Sequence, residues 1–119
     1  MQYIESGKEA GATVAIGGGH YESREQQSGG FYVEPTIFTN VTPDMKIVQE
    51  EIFGPVVVIA KFKDEEEAIE LANDTSYGLS SVVFTQNISR AIRVSSAVEA
   101  GNVFVSANLT TLTSPPTRD

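Results

Sequence analysis

The chain has 119 residues, no cysteine, and 16 acidic against 8 basic side chains, for a formal charge of −8. That length fits one modest domain or a piece of a larger one; with 40% hydrophobic and 20% charged residues the chain is ordinary for a packed protein, which excludes wholesale disorder. The acidity argues against nucleic acid or an anionic membrane as main partner, and the missing cysteine excludes a disulfide framework, a thiolate zinc site and a thiol nucleophile within this chain.

Tyr3 to Glu9 reads as a short helix, or the end of one, stopped by Gly11. No basic segment followed by an apolar one marks a secretory signal. The longest apolar run, residues 56–60, is far too short to cross a bilayer. A cytoplasmic protein is therefore expected. Thr13 to Ile16 is strand-like and runs into Gly17-Gly18-Gly19, which reads as a flexible turn. It is not a phosphate cradle, because the third position after Gly19 is Glu22 and no Gly-Lys-Ser/Thr follows. Residues 20–30 are polar and rich in Gly, Ser and Gln, hence a surface loop, and His20 there reads as a solvated loop residue.

Two apolar triplets, 31–33 and 36–38, flank Glu34 and Pro35. Proline cannot donate to a sheet ladder, so this strand lies at an edge or is broken in the middle. Thr42 offers an N-cap, Pro43 suits the first helical position and Asp44 the positive helix end, which predicts one or two helical turns over 45–50. Glu50 and Glu51 would then stand at that helix's C-terminus, where the macrodipole disfavours carboxylates by about 0.3–1 kcal/mol each. They open Gln49-Glu50-Glu51-Ile52-Phe53-Gly54-Pro55, at the mouth of an apolar strand over 56–62. An open α/β sheet places ligands at such a mouth. Taken alone, Ile52 and Phe53 also read simply as core and Glu51 as a solvated turn acid.

The rest is regular. Asp64-Glu65-Glu66-Glu67 supplies an N-cap with an acid three residues on, so the acid run is helix-start chemistry rather than a metal cluster. Ala68, Ile69, Leu71 and Ala72 form that helix's buried stripe, closed before Gly78. A strand over 81–85 follows, then a helix capped by Asn87, with Ile88, Ala91, Ile92, Val94 and Val98 at helical spacing and Gly101 as its stop. Residues 102–106 form a last strand. The pattern is β-α-β-α-β, and connections this short predict three parallel strands with right-handed crossovers. Four Asn-x-Ser/Thr sites, at Asn40, Asn73, Asn87 and Asn108, are expected to serve turns and caps. Residues 107–119 have no amphipathic period and read as a polar, disordered tail.

Four stretches together resemble the aldehyde dehydrogenase superfamily: Gly29-Gly30-Phe31-Tyr32-Val33-Glu34-Pro35-Thr36; Glu50-Glu51-Ile52-Phe53-Gly54-Pro55-Val56; Ala72-Asn73 with Tyr77-Gly78-Leu79; and Ala100-Gly101-Asn102-Val103-Phe104-Val105. The resemblance covers about residues 1–106 and implies the later part of that family's catalytic domain, an α/β fold with a mostly parallel sheet and β-α-β-α-β crossovers. It implies a parent that oxidises aldehydes to carboxylic acids with NAD or NADP. A cysteine thiolate attacks the aldehyde, hydride passes to nicotinamide, and a glutamate-activated water hydrolyses the thioester. The glutamate matching Glu51 binds the nicotinamide-ribose hydroxyls, and the phenylalanine matching Phe53 packs beside ribose and nicotinamide. A carboxylate suits a vicinal diol because charge-assisted hydrogen bonds are strong, and an aromatic face orients a ring for hydride transfer.

The family's nucleophilic cysteine, general-base glutamate and dinucleotide-binding sheet all come earlier in the family's chain than this sequence begins. After Val105 stands Ser106 where the family usually has Asn, and the polar tail replaces a Pro-Phe-Gly-Gly-Lys-like segment that leads to an oligomerisation strand. The expectation is a catalytic-domain fragment, inactive alone, of a homo-oligomeric parent; it contains no catalytic residue and no metal ligand of its own. The rival expectation is a non-enzymatic module of the same fold that binds a nucleotide or a partner subunit.

Overall fold

The structure, a computed structural model, describes residues 1–20 and 32–106. The elements are α1 (Gln2–Glu9), β1 (Thr13–Ile16), β2 (Thr36–Thr39), α2 (Lys46–Gln49), β3 (Val56–Val58), α3 (Glu65–Asn73), β4 (Ser80–Val83), α4 (Ile88–Ala97) and β5 (Asn102–Val105). They fall into two compact units, residues 1–62 and 63–119. The polar tail and most of the 20–30 loop lie outside the described residues.

In the first unit, α1 ends as its sequence predicts. Gly11 takes φ +93°, its amide donates to the Lys8 carbonyl at 3.1 Å, and Ala12 donates to Gly7 at 3.0 Å. These two bonds satisfy carbonyls that the last helical turn leaves open. The sheet order is β1-β2-β3, with β1 antiparallel and β3 parallel to β2. Ile4, Phe38, Met45 and Ile47 form the buried cluster, and Val14, Ile52, Val56 and Val58 pack against it. Pro35 breaks the strand: Val33 makes only an isolated bridge to His20, and β2 begins after the proline as the central strand of three.

Two local expectations change here. Thr42 does not cap α2; the N-cap is Met45, without a side-chain bond, and the helix has four residues. The Thr42 hydroxyl is instead engaged by Asp44, whose carboxyl it holds below its ordinary pKa. The Gly17-Gly18 turn is tied down rather than loose. Lys8 Nζ donates to the Gly18 carbonyl at 2.7 Å, Gly18 N–H donates to the buried Thr36 hydroxyl at 3.0 Å, and Gly19 N–H reaches Glu34 Oε2 at 3.1 Å.

In the second unit, Asp64 caps α3 by accepting from the Glu67 amide at 2.9 Å, and Asn87 caps α4 by accepting from Arg90 at 3.0 Å, both as the sequence predicts. Strands β4 and β5 are parallel, with Val82 opposite Phe104. Asn73 clamps the helix ends, its amide donating to the Ala97 carbonyl at 2.9 Å and its oxygen accepting from Glu99 N–H at 2.8 Å. Gly78 and Gly101 are not the left-handed stops expected of them. A Cβ on Gly78 would lie 3.0 Å from the Glu99 carbonyl, and Gly101 N–H donates to Gly78 at 2.8 Å, so these glycines serve close backbone approach.

The parallel α/β character holds, but the three expected strands are divided between two sheets. The hydrogen bonds of β3 go to β2, whereas β4 and β5 pair with each other. Periodicity reports that a strand is buried on both faces; it does not say which neighbour takes its backbone groups.

Candidate functional site

Glu51 and Phe53 lie in the connection between α2 and β3, within the first unit. This connection is held at both ends. At the near end, Glu50 is the C-cap of α2, and its amide donates to Lys46. Its carboxylate accepts from the Tyr3 hydroxyl at 2.7 Å and stands 3.8 Å from Lys46 Nζ, which itself sits 5.0 Å above the Tyr3 ring. At the far end the Thr36 amide donates to the Pro55 carbonyl at 2.8 Å. Between them Gly54 N–H turns back to Ile52 at 2.9 Å and Val56 N–H to Gly54 at 2.8 Å. A backbone folded this tightly forces neighbouring side chains to diverge. Ile52 goes to the core cluster, and Phe53 goes to the outside.

Phe53 is 92% exposed, the most exposed of the large apolar side chains among the described residues. The reading of Phe53 as core is therefore wrong, while Ile52 fits it. Glu51, two residues earlier in the same connection, is also exposed. An anionic acceptor and an open aromatic face, three residues wide on a fixed backbone, form a surface suited to a sugar diol next to a flat heterocycle. The loop enters β3 at its amino end, next to the amino end of the parallel β2, since Thr36 is opposite Val56. The crevice rule places ligands at carboxyl ends, so it does not apply to this loop, and the case for it rests on exposure and chemistry.

Among the described residues no three His, Cys, Asp or Glu side chains gather as a metal site, and no helix is long and apolar enough to cross a membrane. In the second unit, Arg90 Nε and Arg93 Nε reach the two Glu65 oxygens at 3.1 and 2.8 Å. The hydrogen bond from Arg93 is the main cause holding the Glu65 carboxyl below its ordinary pKa, and the same bond raises Arg93. This fork joins α3 to α4. The sequence did not point to Tyr3 or Lys46. The i, i+4 spacing of Lys46 and Glu50 was visible, but nothing local could place a tyrosine 47 residues away beside them.

A family profile described as "Aldehyde dehydrogenase family" matches residues 1–116. An aldehyde dehydrogenase of Emericella nidulans is 56% identical over 105 residues, 88% of this chain and 20% of that protein. The "Aldehyde dehydrogenase, cytosolic 1" of Rattus norvegicus is 51% identical over 110 residues, 92% of this chain and 21% of that one. A P. syringae indole-3-acetaldehyde dehydrogenase, solved in complex with NAD+ and IAA, superposes with a TM-score of 0.84 at 46% identity, over 91% of this chain and 21% of its own. The chain thus spans about one fifth of the length of the relatives it matches.

Proposed function

The chain belongs to the aldehyde dehydrogenase family, and on that footing we propose that it carries the nicotinamide-ribose contact of an NAD(P)-dependent aldehyde oxidoreductase. Glu51 accepts the ribose hydroxyls, and Phe53 presents its face to the ribose and nicotinamide edge. When bound, the nicotinamide supplies the hydride acceptor. The carrying observation is Phe53, 92% exposed on a backbone fixed at both ends. A flat apolar face two residues from a carboxylate, on a backbone held at both ends, supports a contact with a ribose and its attached heterocycle. The NAD+ in the solved P. syringae relative supports the same cofactor class.

With no cysteine, this chain supplies no thiolate to attack an aldehyde. It orients a cofactor and does no covalent chemistry alone. The proposed parent is a homo-oligomeric enzyme that turns aldehydes into carboxylic acids, and the word cytosolic in the rat relative's name supports a cytoplasmic location. The test is two-part. The purified chain is assayed for aldehyde oxidation with NAD and NADP, and NAD is titrated while residues 51–54 are followed by amide resonances. We expect no turnover, and weak binding, about millimolar, that moves those resonances. Turnover, or an NAD response confined to other residues, refutes the assignment.

The exposed apolar side chains favour a second reading, a nucleotide-binding or subunit-interaction module of the same fold. Leu79, Phe84 and Ile88 are 84%, 76% and 74% exposed in the second unit. Submicromolar cofactor binding without turnover, or a defined hetero-complex, would favour that module.

A further inference from the structure

The braced end of the site loop starts from a glycine. Gly7 lets α1 lie directly on α2: a Cβ there would come within 2.9 Å of Ile47 Cδ1 and 3.0 Å of Phe38 Cζ. Tyr3 is four residues before Gly7, one turn along the same face of α1, and Glu50 is three residues after Ile47 on α2. The close contact therefore brings the tyrosine hydroxyl to the carboxylate, where they meet at 2.7 Å. Lys46 completes the group, 3.8 Å from that carboxylate and 5.0 Å above the ring.

Glu50 is the α2 C-cap, where the negative end of the helix dipole opposes a carboxylate. The hydroxyl and the ammonium offset that opposition, and they do so one residue before Glu51. We propose that Tyr3 and Lys46 are positioning residues for the 51–53 loop, fixing its entry through Glu50 as the Pro55 carbonyl fixes its exit. The role rests on the cofactor-contact reading above and adds to it the residues that set the loop's geometry.

The test is amide hydrogen exchange of the full chain, read at Gly54 and Val56, whose N–H groups close the loop, and at Ile59, which donates to Phe38 at 2.9 Å in the sheet. Tyr3→Phe and Glu50→Ala should each speed Gly54 and Val56 about five-fold, the scale of one ordinary solvent-exposed hydrogen bond. Ile59 should stay unchanged. The double variant should be no faster than Glu50→Ala alone, because that change already removes the bond from Tyr3 together with the pair to Lys46. Glu50→Gln keeps an acceptor for Tyr3 and should recover part of the protection. Lys46→Met, which leaves the bond between Tyr3 and Glu50 in place, should give a smaller rise and serves if Tyr3→Phe does not fold. Unchanged exchange at Gly54 and Val56, or an equal rise at Ile59, overturns the proposal. Addition of NAD separates the two readings. If NAD fails to move the wild-type 51–54 resonances, the cofactor contact falls whatever the exchange rates show. If it moves them and binds Tyr3→Phe more weakly, both stand.

Discussion

Gly17 is the position at which a single methyl group should do most damage. Its φ is +71°, and a Cβ would lie 2.2 Å from the Pro35 carbonyl oxygen and 3.0 Å from Thr36 Oγ1. Ordinary C···O contacts are about 3.3 Å or longer, so the backbone must part by about an ångström. Pro35 has little freedom to move, because its ring fixes φ. The next residue, Thr36, is 1% exposed, and its amide holds the Pro55 carbonyl at 2.8 Å, beside the site loop. The left-handed conformation costs an L-residue about 1–2 kcal/mol, and forced overpacking costs about 1–3 kcal/mol. Together Gly17→Ala should lose about 2–5 kcal/mol, a large share of a small unit's stability. Gly11→Ala is the control. Its φ is +93° but nothing lies within 4 Å of the added Cβ, so only the conformational cost of about 1–2 kcal/mol applies. Urea unfolding followed by far-ultraviolet circular dichroism gives both values. Equal losses in the two variants, or a Gly17→Ala loss below about 0.5 kcal/mol, would refute the steric argument.

Phe53→Ala should leave thermal unfolding within about 0.5 kcal/mol of the parent, as for other surface changes, while weakening NAD binding in the same titration; a large stability loss would show the ring packs on the fold. Glu65→Gln tests the fork to Arg90 and Arg93. A carboxyl with a lowered folded pKa contributes stability above its unfolded pKa and loses it as pH falls through the folded value. The parent should therefore lose α3–α4 stability as pH drops below the ordinary glutamate range, and Glu65→Gln should show less of that loss; identical acid profiles would exclude the fork as its source. Asn73→Ala removes both bonds to the end of α4 and should cost about 1–3 kcal/mol, read as a lower urea midpoint of the second unit; an unchanged midpoint would mean water replaces both bonds.

What was legible in the sequence was chemistry that acts within a few residues. Asp64 and Asn87 cap their helices because a side chain need reach only the amide three residues on. Gly11 ends α1 because the left-handed turn is decided by one residue. Pro35 breaks its strand because it has no N–H to donate. Where the outcome depended on distant partners, local reading erred. Val56 to Val58 form a strand as their composition predicts, yet they pair with β2, across the 16 residues between Thr39 and Val56, rather than with the next strand in the chain. Gly78 and Gly101 are needed, but for each other and for Glu99 rather than for helix stops.

The same division governs the site. The acid-aromatic motif at Glu51 and Phe53 was legible because it is contiguous, and the resemblance gave it a meaning that spacing alone did not. Its support was not legible, because Tyr3 meets Glu50 only after α1 has docked on α2 through Gly7. Exposure then settles which half of the motif is structural: Ile52 packs on the core and Phe53 stands in solvent. Apolar exposure elsewhere carries a further consequence. Phe62, Leu79, Phe84 and Ile88 are each more than 60% exposed, and a chain that leaves so many large side chains in water should associate at raised concentration. Sedimentation velocity over a hundred-fold concentration range measures this. Growing assemblies that shrink when Leu79 and Phe84 are changed to Ser place the tendency on the second unit. A monomer at every concentration would mean that scattered exposure, not a continuous apolar face, is what these residues represent.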